Sequence, residues 1–242
     1  MGKTAIIIPA RYGSSRLEGK PLIKVLDKPI IQWVWEKAKK CTNADMVIVA
    51  TDDQRIYDAV KSFGGDVEMT STEHKSGSDR IAEVASRHPE IDIIVNLQGD
   101  EPLINLDDIN AVIAGVRDDE TVDISTLVRE IKEDDEANNP NLVKCVFDVN
   151  NYAMYFSRSK IPFERNVGES KIYGHLGIYG YRKTSLFKMT QLSQTNLERA
   201  ESLEQLRALQ SGMRIKIAIT ENIPVGIDTI EDLEHFKKLV EV

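Results

Sequence analysis

At 242 residues with a formal net charge of −8, the chain is long enough to bury a substantial core and carries no global basic field of the kind that attracts nucleic acid. Its two cysteines, Cys41 and Cys145, exclude a dense disulfide framework or a zinc ribbon and suit a reducing compartment. Apolar runs such as 5–8 and 46–50 are far too short to span a bilayer, and MGKTAIIIPARYG enters a strand with no room for a secretory signal, so a cytoplasmic protein is expected.

Thr4–Pro9 reads as a strand running into RYGSSRLEGKPL, a loop that holds Arg11, Ser14, Arg16 and Lys20. Open α/β sheets bind ligands beyond the carboxyl ends of their strands. Glycines there let successive N–H groups form an anion nest. Arginines grip phosphate oxygens through two bonds, and lysine adds a point charge. The spacing fits neither the P-loop nor the G-x-G-x-x-G pattern, so phosphate binding competes with a basic surface turn. Pro29 is expected to open a helix whose Ile30, Ile31, Val34, Trp35 and Ala38 share one face. Met46–Thr51 is a strand, and Asp52 is placed to cap a helix that carries Ile56, Val60 and Phe63 and stops at Gly64-Gly65. A short strand over Val67–Met69 precedes SGSDR. Ser76, Gly77 and Arg80 there suit a base edge or a phosphate. The plainer reading has Ser78 or Asp79 capping the next helix and Arg80 solvated. Ile91–Leu97 is continuously apolar, as in a strand covered on both faces. It ends at QGDEP, where Asp100 emerges at the sheet's carboxyl edge, either as a Mg²⁺ ligand or as a turn residue.

Beyond about Asp107 the pattern loosens. Ile124–Val128 and Val143–Asp148 read as strands joined by the solvated acidic connection KEDDEANNPN, and YAMYFSRSKIPFERNVGES reads as an excursion from the sheet. Ile172–Tyr181 reads as a bulged strand, with His175 a structural histidine on its own showing. LERAESLEQLRALQSG reads as one helix ending at Gly212, with Glu204 and Gln205 on its exposed side. Arg214–Ile219 is a strand. Asp228 follows in a Gly-containing turn, as ligand or cap, and Thr229 opens the last helix with Asp232 completing a capping box. Strands separated by helices predict a parallel sheet wound in βαβ units. With no linker or repeat, one domain over residues 1–242 is expected.

In that order and spacing, PARYGSSRLEGKPL, ATDD, SGSDR, NLQGDEP, YFSRSKIP, HLGIYGYR, ESLEQLR and GIDTIEDL resemble the 3-deoxy-manno-octulosonate cytidylyltransferases, or CMP-Kdo synthetases. The likeness runs from about Ile6 to the final helix. It implies an α/β, Rossmann-like nucleotidyltransferase fold, with a mainly parallel central sheet flanked by helices. A small dimerisation excursion around Tyr152–Ile161 would serve a homodimer. The implied reaction is Mg²⁺-dependent transfer of CMP from CTP to 3-deoxy-manno-octulosonate (Kdo), releasing pyrophosphate and feeding lipopolysaccharide synthesis. The resemblance assigns nucleotide binding to Ala10, Arg11, Ser14, Arg16, Lys20, Ser76, Gly77 and Arg80, and catalysis to Lys20, Asp100 and Asp228. Asp100 and Asp228 would hold the metal, and Gln98, His175, Tyr179, Glu204 and Gln205 the sugar. Two features depart from the pattern. Glu18 stands where relatives commonly carry proline, which adds a negative charge beside the phosphate loop, and Gln194-Thr195-Asn196 lacks a proline often found there. The alternatives are the same reaction on 8-amino-3,8-dideoxy-manno-octulosonate, or a non-catalytic CTP sensor. The expected partners are CTP and an acidic eight-carbon sugar, with neither nucleic acid nor membrane.

Overall fold

The aliphatic run after Gly2 forms β1 (Lys3–Ala10), with Ala5, Ile6, Ile7 and Ile8 fully buried. The structure is a computed structural model that describes residues 2–13, 17–166 and 168–241. It is mixed α/β, with a mainly parallel sheet flanked by helices, and it divides into two compact units, Met1–Asn110 with Pro224–Val242 and Ala111–Ile223.

In the first unit a 3-10 turn at Lys20–Leu22 leads to a small hairpin of β2 (Lys24–Val25) and β3 (Lys28–Pro29). Pro29 pairs with Lys24 in that hairpin, so it caps α1 (Ile30–Ala38) from extended backbone and is not its first helical residue. The expected face is buried at Ile30, Ile31, Val34 and Ala38, while Trp35 is half-buried. After β4 (Met46–Thr51), α2 (Gln54–Ser62) is capped by Asp53, not by Asp52 as the sequence suggested. Asp52 is held elsewhere, by the buried Arg80. Next come β5 (Asp66–Met69), α3 (Gly77–Ser86) and β6 (Ile91–Asn96). These strands lie in the order β6-β1-β4-β5, all parallel. Ala10 is in register with Thr51 and Ile7 with Asn96, so the carboxyl ends of β1, β4 and β6 finish along one edge.

The chain passes into the second unit through α4 (Leu106–Arg117). Then follow β7 (Ile124–Ile131), α5 (Asp134–Asn138), β8 (Lys144–Phe147), β9 (Ala153–Ser157) and β10 (Ile172–Arg182). The rest of the unit is α6 (Lys183–Gln191), α7 (Asn196–Glu201), α8 (Gln205–Gln210) and β11 (Ile215–Thr220). Here β7 runs parallel to β11 and antiparallel to β10, and the β8–β9 hairpin adds antiparallel pairs beside β10. The chain then returns to the first unit as α9 (Ile230–Val240), whose Phe236 packs edge-on against Trp33.

Three expectations change in this unit. The acidic connection contains α5, because Ala137 is buried against Ile131, Ile172 and Leu142. The expected excursion stays in the sheet through β9, which pairs with β8 along its length. The single helix around LERAESLEQLR is two, broken at Ser202 in the left-handed region (φ 52°). Side chains satisfy the groups exposed at that break. The Glu201 carboxylate accepts from Arg158 N and Ser157 Oγ, while Arg158 Nε donates to the Glu201 carbonyl. A buried bidentate pair, Glu198–Arg207, then ties α7 to α8. Each unit also encloses one buried cysteine, Cys41 in the first and Cys145 in the second. Among the described residues no helix is long and apolar enough to cross a membrane.

Candidate active site

At the carboxyl edge of β1 and β6, a cavity of about 480 Å³ opens between segments of the first unit. Ala10 and Arg11 reach it from the end of β1, Gln98 and Asp100 from the turn after β6, Lys20 from the 3-10 turn, and Asp228 from the loop before α9. Gly19, in the left-handed region (φ 66°), caps the 3-10 turn and Pro21 pre-sets its backbone. The turn leaves Lys20 Nζ 2.6 Å from Asp100 Oδ2 and 2.9 Å from Asp228 Oδ1. A backbone hydrogen bond from Ile227 N to Asp100 O, 2.9 Å, stitches the two acidic loops together. The competing reading of Asp228 as a helix cap falls away. Thr229 caps α9, and the Asp232 carboxylate accepts from the N–H groups of Asp228 and Thr229.

Burial alone lowers the pKa of Lys20, but Asp100 and Asp228 outweigh it and hold the ammonium above its ordinary value. Next door, burial first, then Asp100 and Asp108, push the Glu101 carboxyl up to about 8. Of the acidic pair in QGDEP, it is Asp100 that reaches the Lys20 ammonium. The donor set suits Mg²⁺, which takes one or two carboxylates and completes its shell with phosphate oxygens and water. Asp100 and Asp228 converge on one cation, and among the described residues no cluster of three or more His, Cys, Asp or Glu side chains competes for a metal.

A smaller hollow of about 90 Å³ shares Ala10, Arg11 and Gln98 with the main cavity and adds His74, Ser76, Gly77 and Arg80. Ser76 is the cap of α3 and forms a capping box with Asp79. Arg80 is not solvated: it is 3% exposed, bound through Nη2 to Asp52 Oδ2 at 2.6 Å and through Nη1 to Thr70 Oγ1. His74, its Nε2 2.5 Å from Glu83 Oε2, was missed in the sequence. Its only signal was its place two residues before Ser76. Ser14 and Arg16 lie outside the described residues.

The other candidate side chains belong to the second unit. A register shift between Leu176 and Tyr179 brings Tyr179 opposite Thr126. The His175 ring lies between Phe156 and Tyr179, at centroid distances of 5.1 and 5.4 Å. Its Nε2 is 2.9 Å from Thr126 Oγ1, whose hydroxyl donates to the Ile178 carbonyl. Burial pushes the imidazole down to about 3, so the ring is neutral. Burial also raises the Tyr179 hydroxyl far above its usual range, with Tyr181 and Glu204 adding to it. Glu204 stands at the N-cap of α8 and Gln205 begins it, and Gln205 is buried, because the break at Ser202 turns it away from the exposed side expected for one continuous helix.

A profile of the Cytidylyltransferase family matches residues 5–215. The 3-deoxy-manno-octulosonate cytidylyltransferase of Thermodesulfovibrio yellowstonii is 50% identical over 248 residues, covering 97% of each chain. That of Fusobacterium nucleatum is 47% identical over 229 residues, covering 95% of this chain and 93% of the relative. A solved structure of CMP:2-keto-3-deoxy-manno-octonic acid synthetase complexed with CTP matches with a TM-score of 0.95 at 44% identity, over 99% of this chain and 98% of that one.

Proposed function

The chain belongs to the 3-deoxy-manno-octulosonate cytidylyltransferase family, and on that premise we propose that it transfers CMP from CTP to Kdo and releases pyrophosphate. The observation that carries this reading is the convergence of Lys20, Asp100 and Asp228 in the cavity at the strand ends, with Arg11 beside them. Phosphoryl-type transfer asks a protein mainly for positioning and charge neutralisation. Arg11 and Lys20, with Ser14 and Arg16, hold the triphosphate, and the charged Lys20 stabilises the negative charge that builds on the departing pyrophosphate. Ser76, Gly77 and Arg80 frame the hollow for the cytosine, Arg80 being set by Asp52 and Thr70. Asp100 and Asp228 would hold Mg²⁺, whose chemistry there is to neutralise phosphate charge and lower the pKa of the attacking sugar hydroxyl. Gln98, His175, Tyr179, Glu204 and Gln205 bind the sugar, His175 as a neutral ring that offers hydrogen bonding without charge. No covalent enzyme intermediate is required.

A single functional domain over residues 1–242, a homodimer and a cytoplasmic location in lipopolysaccharide synthesis belong to the same reading. The near full-length match to the relatives supports the first. Met154 and Phe163, 65% and 90% exposed, give the segment after β8 apolar surface for a second copy.

The test is pyrophosphate release with CTP and Mg²⁺, run in parallel with Kdo, its 8-amino analogue and N-acetylneuraminate. Release with Kdo is expected. Release with the 8-amino sugar alone would move the substrate, and silence with tight CTP binding would leave a sensor. Asp100→Asn is expected to lower kcat about 100-fold or more with an unchanged circular dichroism spectrum. A folded, active Asn variant would remove the metal assignment.

A further inference from the structure

Tyr12 and Gly19 stand at the two ends of the phosphate loop and touch each other, and a contact from α2 reaches Tyr12. Gly19 N donates to the Tyr12 carbonyl at 3.0 Å, closing the loop at its base. A Cβ at Gly19 would meet Tyr12 Cε2 and Cζ at 3.0 Å, so the ring packs directly on the Gly19 backbone. The same ring carries the Arg55 guanidinium 3.3 Å from its centroid, a close cation–π stack. Arg55 is fixed in turn by Asp53. Asp53 Oδ1 accepts from Arg55 N and Nε, both at 2.9 Å, and Oδ2 accepts from Nη2 at 2.6 Å. One carboxylate thus caps α2 and grips the guanidinium's planar fork.

The Arg55 side chain is 58% exposed, so burial in the core does not explain its ordering. An exposed arginine held this way loses rotamer freedom, and its stack faces a loop end and not the interior. Lys20 follows Gly19 directly and reaches Asp100 and Asp228. A continuous set of contacts therefore runs from the cap of α2, through Arg55, Tyr12 and Gly19, to the central ammonium of the site. Hydrogen bonding to Asp53 is the chief cause raising the guanidinium's pKa, and Glu18 adds to it.

We propose that Arg55 is a positioning residue for nucleotide binding: stacked on Tyr12 and held by Asp53, it sets both ends of the phosphate loop and, through Gly19, the placement of Lys20. This rests on the reading that the loop receives a nucleoside triphosphate. Planarity is the property required, because a lysine would keep the charge but lose the fork that Asp53 grips and the close stack on Tyr12.

The experiment is calorimetric titration of the full-length chain with CTP and Mg²⁺, for wild type, Arg55→Ala and Arg55→Lys. KM values for CTP and for the sugar, and melting temperatures, complete it. Arg55→Ala is expected to weaken CTP binding about three- to tenfold, to leave KM for the sugar within about twofold, and to keep the wild-type melting temperature. Arg55→Lys is expected to behave like Arg55→Ala. Unchanged CTP affinity in Arg55→Ala overturns the proposal. So does full rescue by lysine, which would make Arg55 a diffuse charge. A weaker CTP affinity accompanied by a lower melting temperature and a raised sugar KM would make it a structural residue and overturn the proposal as well. If wild type binds CTP but releases no pyrophosphate with any sugar, the transferase reading falls while the CTP comparison still decides the role of Arg55. If wild type binds no CTP, both fall.

Discussion

His175 shows how one half-buried side chain couples stability to pH. Unfolded, a histidine titrates near 6.5; folded, this one stays neutral down to about 3. Between those values the unfolded chain binds one more proton, so acidification favours unfolding by up to about 1.4 kcal/mol per pH unit. Glu101 has the opposite slope, since its folded pKa is raised from 4.5 to about 8 and its folded form binds the extra proton between them. Where the two windows overlap they oppose each other, so only a difference isolates His175. Urea unfolding of wild type and His175→Gln at pH 6 and pH 4 should show the variant gaining relative stability at the lower pH. Parallel curves would mean that the ring is protonated in the folded state. Of the site residues, Lys20, Asp100 and Asp228 were legible because each lies beside a strand end or turn marked by Gly or Pro. Arg55 and His74 were not, because nothing in their spacing announces a stack on Tyr12 or a partner in Glu83. Asp52 and Asp53 were exchanged for a physical reason. Adjacent acids look alike as caps, and only the fold reveals that the buried Arg80 requires the first.

The α7–α8 corner makes the same point for elements. Leu203, Leu206 and Leu209 keep a helical apolar rhythm through the break, so periodicity alone joins the two helices. A serine at positive φ is uncommon, and what holds it comes from distant positions, Arg158 at the carbonyls of Glu201 and Ser202 and Arg207 at Glu198. The Glu198–Arg207 pair is only 4% and 8% exposed. Removing Glu198 leaves the buried Arg207 with the longer pair to Glu204 at 3.9 Å and the carbonyls of Met189 and Leu192, and breaking a buried pair typically costs up to about 3–5 kcal/mol. Glu198→Ala should therefore lower the urea midpoint far more than Glu198→Ala with Arg207→Met, because the double variant removes both charges. A single variant as stable as wild type would show that the pair is solvated in solution. The bulged β10 was readable from its Gly- and Tyr-rich run. Helix α5 was not, since Ala137 is the only buried residue in it.

For the molecule as a whole, the parallel strands of the first unit were the most legible part, because continuous aliphatic runs between capped helices leave few other arrangements. The division into units was not legible. It falls between Asn110 and Ala111, inside α4, where no Gly, Pro or polar linker marks it. That division gives the two thiols a use as reporters. One buried cysteine lies in each unit, and burial holds the Cys145 thiol above its usual pKa, so modification waits on local opening. With excess thiol reagent and peptide-resolved mass spectrometry, the labelling rate at Cys41 gives the opening free energy of the first unit and that at Cys145 the second. Chain 1–242 behaving as the single domain proposed would give equal values and equal denaturant dependence. A lower value at one thiol would mean that its unit opens while the other stays closed. The protein's thiols thus supply a clock for each half of the chain without any label having to be engineered.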